Sequence, residues 1–333
     1  MRTSKSVPRK VYPVKQPGNQ PGGDNERYIN SESGSKFLLA VAVLTILLGT
    51  ACTHADGGFQ KTFTVTATPD VEIDNGTGNI TVRTGDVNSV QVTANIEVFA
   101  LSPDFVVERI EKNPPLSQSG NRIRIGNKRD YSDPFRQVQI RYTVTVPAST
   151  RLVSSLGTGD QDISGIQGNL NVSNGTGNIR LSDCVGDARV DDGTGDIRAD
   201  RATGTLKLET GTGTIQLINS KASRAEVSTG TGDIDLDSVE GQLQAHTGTG
   251  NITVAGLPTS SWRVSTGTGN ISFRTTPTAT YRIEAHGSIG RVNLGSGAQS
   301  VRNEEDHHSL FAEVGTGGPR VELTTGTGNI DIN

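Results

Sequence analysis

Cysteine is nearly absent from this 333-residue chain: only Cys52 and Cys184 occur, so no disulfide framework is available to hold the fold. Aromatic residues make up 4% of the sequence, with a single tryptophan. That scarcity argues against a large conventional core. Excess positive charge is missing as well. From Cys52 onward the chain carries 24 basic side chains (31 less the 7 before it) and 32 acidic ones (35 less 3), a net of about −8. Such a surface repels nucleic acid and anionic lipid.

No apolar run reaches the roughly 20 residues that cross a bilayer comfortably as a helix. The longest, FLLAVAVLTILLGTAC (Phe37–Cys52), follows directly on Lys36. Before it, residues 1–36 are rich in Pro, Gly, Ser and basic side chains without apolar periodicity, the composition of a disordered leader. A basic flank, a short apolar core and small residues ahead of a cleavage point make a secretory signal peptide. Leu48-Gly49-Thr50-Ala51-Cys52 resembles a bacterial lipobox, in which Cys52 is lipidated and becomes the first residue of the mature protein. The alternative is an uncleaved signal anchor. Either one tethers the rest of the chain to a membrane from outside the cytoplasm. Thr53 lacks the acidic character of an inner-membrane retention signal, so in a cell with two membranes the expected place is the outer membrane or cell surface.

Glycine, by contrast, is abundant at 41 residues, and its placement is periodic. The G-T-G tripeptides fall at Gly157/Gly159, Gly175/Gly177, Gly193/Gly195, Gly211/Gly213, Gly230/Gly232, Gly248/Gly250 and Gly267/Gly269, at intervals of 18 or 19 residues. An isolated earlier copy starts at Gly76, a degenerate one lies near Gly287, and a last one is Gly326/Gly328. Between copies the apolar residues form columns. Val172, Val190, Leu208 and Val227 lie three residues before the first glycine. Ile179, Ile197, Ile215, Ile234, Ile252 and Ile271 follow the second. These are period-two strands, two per repeat. One such unit cannot bury its apolar face alone, but stacked units can. The expected fold is therefore all-β: a right-handed parallel β-helix of 18–19-residue coils, with the G-T-G glycines as its corners and the 59–150 segment as an N-terminal β cap. The repeats occupy 151–333, with a polar loop inserted at 295–313. Within the cap, Phe63–Ala67, Val90–Val98 and Val138–Pro147 read as strands, and Ser102-Pro103-Asp104 as the start of a short helix running to about Lys112.

An exported anchor, the strand IRYTVTVPASTRL (Ile140–Leu152) and repeated GTGDI-type corners together resemble the bacterial putative-adhesin family of β-strand-repeat domains, a domain of unknown function. The likeness covers about Phe59 to Asn333. It implies a β-solenoid of the cell envelope and an adhesin-like binding or structural role, and it supplies no catalytic residues. Corners in that family more often read Ser-Gly-Asp-Ile, so the insistence on threonine here alters the corner chemistry.

Other chemistries need groups that the pattern does not supply. A polysaccharide lyase or hydrolase, the main alternative, needs a unique cluster of acid, base and metal-binding groups, whereas Asp196, Asp200, Asp233, Asp235 and Asp237 simply follow the repeat. Calcium-binding β-repeats have nine-residue units, and neutral Asn178, Asn251 and Asn270 share the aspartate position. The EEDHH stretch (Glu304–His308) has metal-capable side chains in a polar loop. Paired threonines such as Thr210 and Thr212 are similar to ice-binding arrays, but alternation turns one of each pair inward. Cys184 shares a column with Ile166, Ala202, Val239 and Leu257, a packing position. No catalytic residue, metal or cofactor is expected. The partners expected are the membrane and an envelope protein or glycan, and a role as accessory to a membrane signalling protein is the third possibility.

Overall fold

Alternation of apolar and polar side chains makes nearly every segment a strand. The computed structural model describes residues 53–86, 88–126, 137–276, 278–295, 300–305 and 307–333. The leader, the apolar run and Cys52 lie outside them. The described strands, 26 in number, join in one mixed, mostly parallel sheet. Seven precede residue 150: β1 (Thr53–Thr64), β2 (Asp70–Thr77), β3 (Ile80–Thr84), β4 (Ser89–Ala100), β5 (Leu116–Ser119), β6 (Arg122–Ile125) and β7 (Gln137–Val146), with helix α1 (Pro103–Lys112) after β4. The repeat supplies β8 (Arg151–Thr158), β9 (Gln161–Ser164), β10 (Leu170–Thr176), β11 (Ile179–Ser182), β12 (Ala188–Thr194), β13 (Ile197–Asp200), β14 (Thr203–Thr212), β15 (Ile215–Ile218) and β16 (Lys221–Thr231). It continues with β17 (Ile234–Thr249), β18 (Ile252–Leu257), β19 (Trp262–Thr268), β20 (Ile271–Thr275), β21 (Tyr281–Ile289) and β22 (Val292–Leu294). Last come β23 (Ser300–Glu305), β24 (Ser309–Val314), β25 (Arg320–Thr327) and β26 (Ile330–Ile332).

The strands stack as parallel rungs on either side of the G-T-G corner. Leu170 lies opposite Leu152 on one side and Ala188 on the other, and Ala188 opposite Leu206. Ile179 in turn faces Ile197, which faces Ile215. Identical columns thus meet across each ladder, and the isoleucines after the corner are buried at 1% exposure or less. Where the spacing lengthens, the extra residue is bulged out: Gly204 pairs with Ala222 but Thr205 with Arg224, leaving Ser223 unpaired. Toward the C-terminal end the core takes aromatic side chains. There Trp262, buried at 1%, meets Phe273 edge-on at 6.1 Å, and Phe273 meets Tyr281 at 5.6 Å; such edge-on pairs add to simple area burial. The Trp262 indole N–H donates to the Gly241 carbonyl at 2.7 Å.

Rung order departs from chain order at both ends. The Gly76 copy, isolated in sequence, is the first G-T-G rung in space: β2 and β3 pair in parallel with β8 and β9 on one side and with β6 and β7 on the other. At the other end β25 enters between β19 and β21, pairing Val321 with Trp262 on one side and Ile283 on the other. Likewise β26 lies between β20 and β22. Antiparallel strands finish each end, as open edges require: β4 on β7 and β1 on β4 at one, β24 on β21 and β23 on β24 at the other. Strand β1 begins ten residues before the stretch that local alternation marks, because it follows the whole length of β4 from Thr53↔Ala100 to Thr64↔Ser89.

Helix α1 packs Val106, Val107 and Ile110 inward. Its Pro103 sits in the first turn, Asp104 complements the positive helix start, and Arg109 and Lys112 the negative end. Ser102 makes no side-chain cap. The helix is fastened to β1 by the Gly58 N–H, which donates to Glu111 Oε1 at 2.8 Å.

Candidate functional site

The corners concentrate what is unusual in this sequence, and each residue of T-G-T-G-N-I has a separate physical task there. The residue before the first glycine points inward: Asn174, Asp192, Thr210, Thr229, Thr247 and Thr266 are buried. Except at Asp192, whose carboxylate has no proton to give, its side chain donates to the carbonyl of the second glycine on the preceding rung, as Thr247 does to Gly232 and Thr266 to Gly250, both at 2.9 Å. The terminal copy does the same across the reordered rungs, with Thr325 donating to Gly269 at 2.9 Å.

The two glycines are needed for different reasons. At the first, a side chain has no room: a Cβ on Gly248 would lie 2.6 Å from the Gly230 carbonyl oxygen. Equivalent crowding against the glycine below holds at Gly157, Gly175, Gly193, Gly211, Gly230, Gly267 and Gly326. At the second, backbone conformation is added to crowding. Gly250 has φ +148°, a region that L side chains rarely enter, and a Cβ there would strike the Gly232 carbonyl. Gly159, Gly177, Gly195, Gly213, Gly232, Gly269 and Gly328 share this positive φ.

The residue after the second glycine joins one rung to the next. Asp160 Oδ1 accepts from the Asn178 N–H at 2.8 Å, Asn178 Oδ1 from the Asp196 N–H at 3.0 Å, and Asp196 Oδ1 from the Thr214 N–H at 2.8 Å. Asp233, Asn251 and Asn270 repeat the pattern onto Asn251, Asn270 and Asn329. An acceptor oxygen is all that this position requires, so Asn and Asp alternate freely in it. Among the described residues no group of three or more His, Cys, Asp or Glu side chains could hold a metal ion.

Between the two glycines, the middle threonine points to solvent. Thr77, Thr158, Thr176, Thr194, Thr212, Thr231, Thr249, Thr268 and Thr327 are all exposed. They lie in register from rung to rung, and Ile289 continues the column beyond Thr327. The outer column is therefore a single line of hydroxyls along the corner edge.

A second corner has no repeated signature in the sequence. Asp183, Arg201, Asn219 and Ser238 all have φ between 50° and 56°, one per rung at nearly the same spacing. Asn and Asp tolerate this conformation, which is the only local signal; Arg201 is held there by Asp183 and Asp200. The slip at Ser238 corrects one expected core position. Val239 pairs with Gly256 and Glu240 with Leu257, so Leu257 leaves the Cys184 column and is 38% exposed. Ser220 takes part in that column instead, fully buried, and donates to the Ile218 carbonyl at 2.8 Å. Cys184 itself is buried, and burial pushes its thiol above the usual range. His246 and His286 are exposed. Of the EEDHH stretch, Asp306 lies outside the described residues, and the His308 ring nitrogen is 2.9 Å from the Gly290 carbonyl.

Stacked parallel rungs and interlocked corner ladders define an all-β repeat protein whose glycine motif is built into the backbone of the fold. Residues 69–333 match the family model described as Toastrack DUF4097, and the chain belongs to that family. No curated protein matches it in sequence. Among solved structures, one similar to it is a putative lipid binding protein from Parabacteroides distasonis ATCC 8503, with TM-score 0.42 and 10% identity over 83% of this chain and 97% of that one. Others are a putative adhesin from Bacteroides fragilis NCTC 9343 (TM-score 0.38, 12% identity, 83% and 97%) and a putative adhesin from the same Parabacteroides strain (0.37, 13%, 83% and 97%). Likeness at this level carries no argument about function.

Proposed function

We propose that this chain is a cell-envelope lipoprotein, anchored through Cys52, that works as an adhesin-like binding or structural module without catalysis. Its extracytoplasmic part is read as a right-handed parallel β-helix with coils of 18–19 residues, the hand following from the crossover preference of parallel strands. The observation that carries the functional reading is the exposed threonine column from Thr77 to Thr327. Parallel rungs repeat one hydroxyl at a pitch of roughly 4.8 Å. A partner with its own extended or repeating surface would meet many equivalent contacts there, each weak alone and strong when linked. The inward threonines, the glycines and the Asn/Asp ladder are occupied in holding the rungs, which leaves the outward faces for recognition. An envelope protein or glycan is the partner class, and the net negative charge disfavours nucleic acid.

The test is a glycan array alongside an affinity pull-down from envelope extracts, using Thr53–Asn333 and its Thr194→Glu/Thr212→Glu variant. A glycan or protein captured by the parent chain and lost by the variant supports the reading. Capture that the variant leaves unchanged moves recognition off the column. Cleavage of an array glycan would replace the module reading with the polysaccharide-enzyme alternative. The anchor is tested separately: Cys52→Ser should release the protein from membranes or leave it uncleaved, and an unchanged acylated mass would refute lipidation.

A further inference from the structure

Large apolar side chains are exposed at seven described positions, and three of these, Phe99, Leu101 and Phe105, fall within seven consecutive residues. They are 44%, 64% and 65% exposed, respectively. A core defect does not explain them, because α1 already buries Pro103, Val106, Val107 and Ile110 and Phe105 lies off that face. The His54 ring lies against Phe99 with centroids 4.7 Å apart, so the patch continues onto the start of β1. Among the described residues Glu108 pairs with Lys112, and the acidic excess of the chain from Cys52 onward disfavours an anionic lipid surface.

Chain order says what faces this patch. Thr53 is the first residue of β1 and lies directly opposite Ala100, between Phe99 and Leu101 in sequence. The residue before Thr53 is Cys52, where the apolar run from Phe37 ends. One residue of chain spans at most about 3.6 Å. A lipid on Cys52 therefore leaves no slack to hold the start of β1 away from the bilayer.

We propose that Phe99, Leu101 and Phe105 form a membrane seat: they enter the headgroup boundary of an electrically neutral bilayer and fix the β1 end of the stack against it. The seat rests on the membrane tether proposed above. Apolar side chains of this kind bury roughly 5–10 Å into the headgroup and acyl boundary. A tether alone would let the rungs swing freely, whereas tether and seat together give two points of attachment and so an orientation, with the β23–β24 end directed away from the surface.

The experiment uses the full chain in phosphatidylcholine vesicles that carry nitroxide-labelled lipid near the headgroup. Phe105→Trp places a fluorophore in the seat, Ile289→Trp places one on the distant β21 rung, and native Trp262, buried at 1%, serves as an internal reference. The expected result is a blue shift and loss of Phe105→Trp emission, with the Ile289→Trp protein no more quenched than the parent. Emission from Phe105→Trp that is unquenched while the protein floats with the vesicles would overturn the seat and leave the tether standing. Failure to float would remove both. A concentration-dependent blue shift without nitroxide quenching would assign the patch to a second copy of the chain and overturn the lipid reading.

Discussion

Asp192 interrupts the donor column of the corners. Its neighbours above and below, Asn174 and Thr210, donate to Gly159 at 3.0 Å and Gly195 at 3.2 Å, but a carboxylate has no proton to give. The side chain is nonetheless buried, and neither oxygen has a side-chain hydrogen-bond partner; what offsets its charge is the backbone of Gly193 and Thr194. Burial outweighs that help and pushes its pKa up to about 6. The sign follows directly. Because the folded state holds the proton more tightly than the unfolded chain does, this group favours folding below the ordinary aspartate range, and that contribution is lost as pH rises through about 6. Asp192→Asn restores a donor without the charge. It should therefore stabilise the protein by about 2 kcal/mol above neutral pH, from roughly two pKa units at 1.36 kcal/mol each with some allowance for solvent. The gain should shrink toward zero at low pH, as read by thermal melts across that range. A variant that gained nothing at neutral pH would mean that the carboxylate is satisfied as it stands. Cys184 gives a second test at this scale. Its thiol is buried and pushed up in pKa, so iodoacetamide should modify it only at the rate of unfolding. Rapid labelling of the folded chain would contradict its place in the core.

Within a corner, the two glycines fail differently when replaced. Gly250→Val combines a φ of +148° with a Cβ driven into the Gly232 carbonyl, and should cost at least about 3 kcal/mol, the upper range for strained backbone. Hydrogen exchange should locate the loss in the adjoining rungs. If Gly250→Val abolished a specific binding activity while the fold stayed intact, the corner would be a site in its own right. This corner was legible in the sequence because it needs small residues, positive φ and an acceptor oxygen at fixed places, and few residue types meet those demands. The second corner, at Asp183, Arg201, Asn219 and Ser238, was not legible. Its conformation costs about 1–2 kcal/mol for a non-glycine residue, a cost that local ion pairs and tertiary packing absorb without fixing residue identity. Leu257 was misplaced for the same reason: a bulge at Ser238 shifts pairing by one residue, and a shift of one reverses which face a side chain takes.

For the whole molecule, the order of the rungs is the part that the repeat conceals. Val321, Leu323, Ile330 and Ile332 satisfy the same columns as every other rung, so their pattern fits any position in the stack equally well. Their actual place is interior, between β19/β20 and β21/β22. This changes what the C-terminus does for stability. In a solenoid stacked in chain order, losing the last repeat removes an end and little else. Here, ending the chain after Pro319 removes the parallel partner of β21 and the partner of β22 together. It also removes four side chains of 1% exposure or less, worth roughly 6–12 kcal/mol at about 1.5–3 kcal/mol each. The expected outcome is collapse of the whole segment from about Thr276 onward, seen as rapid proteolysis and loss of exchange protection there, while β8 to β18 stay protected. Retained protection in β21 and β24 would mean that these strands had closed directly onto β19, showing that the rungs are interchangeable. The chain end would then be a replaceable insert rather than the piece that locks the stack.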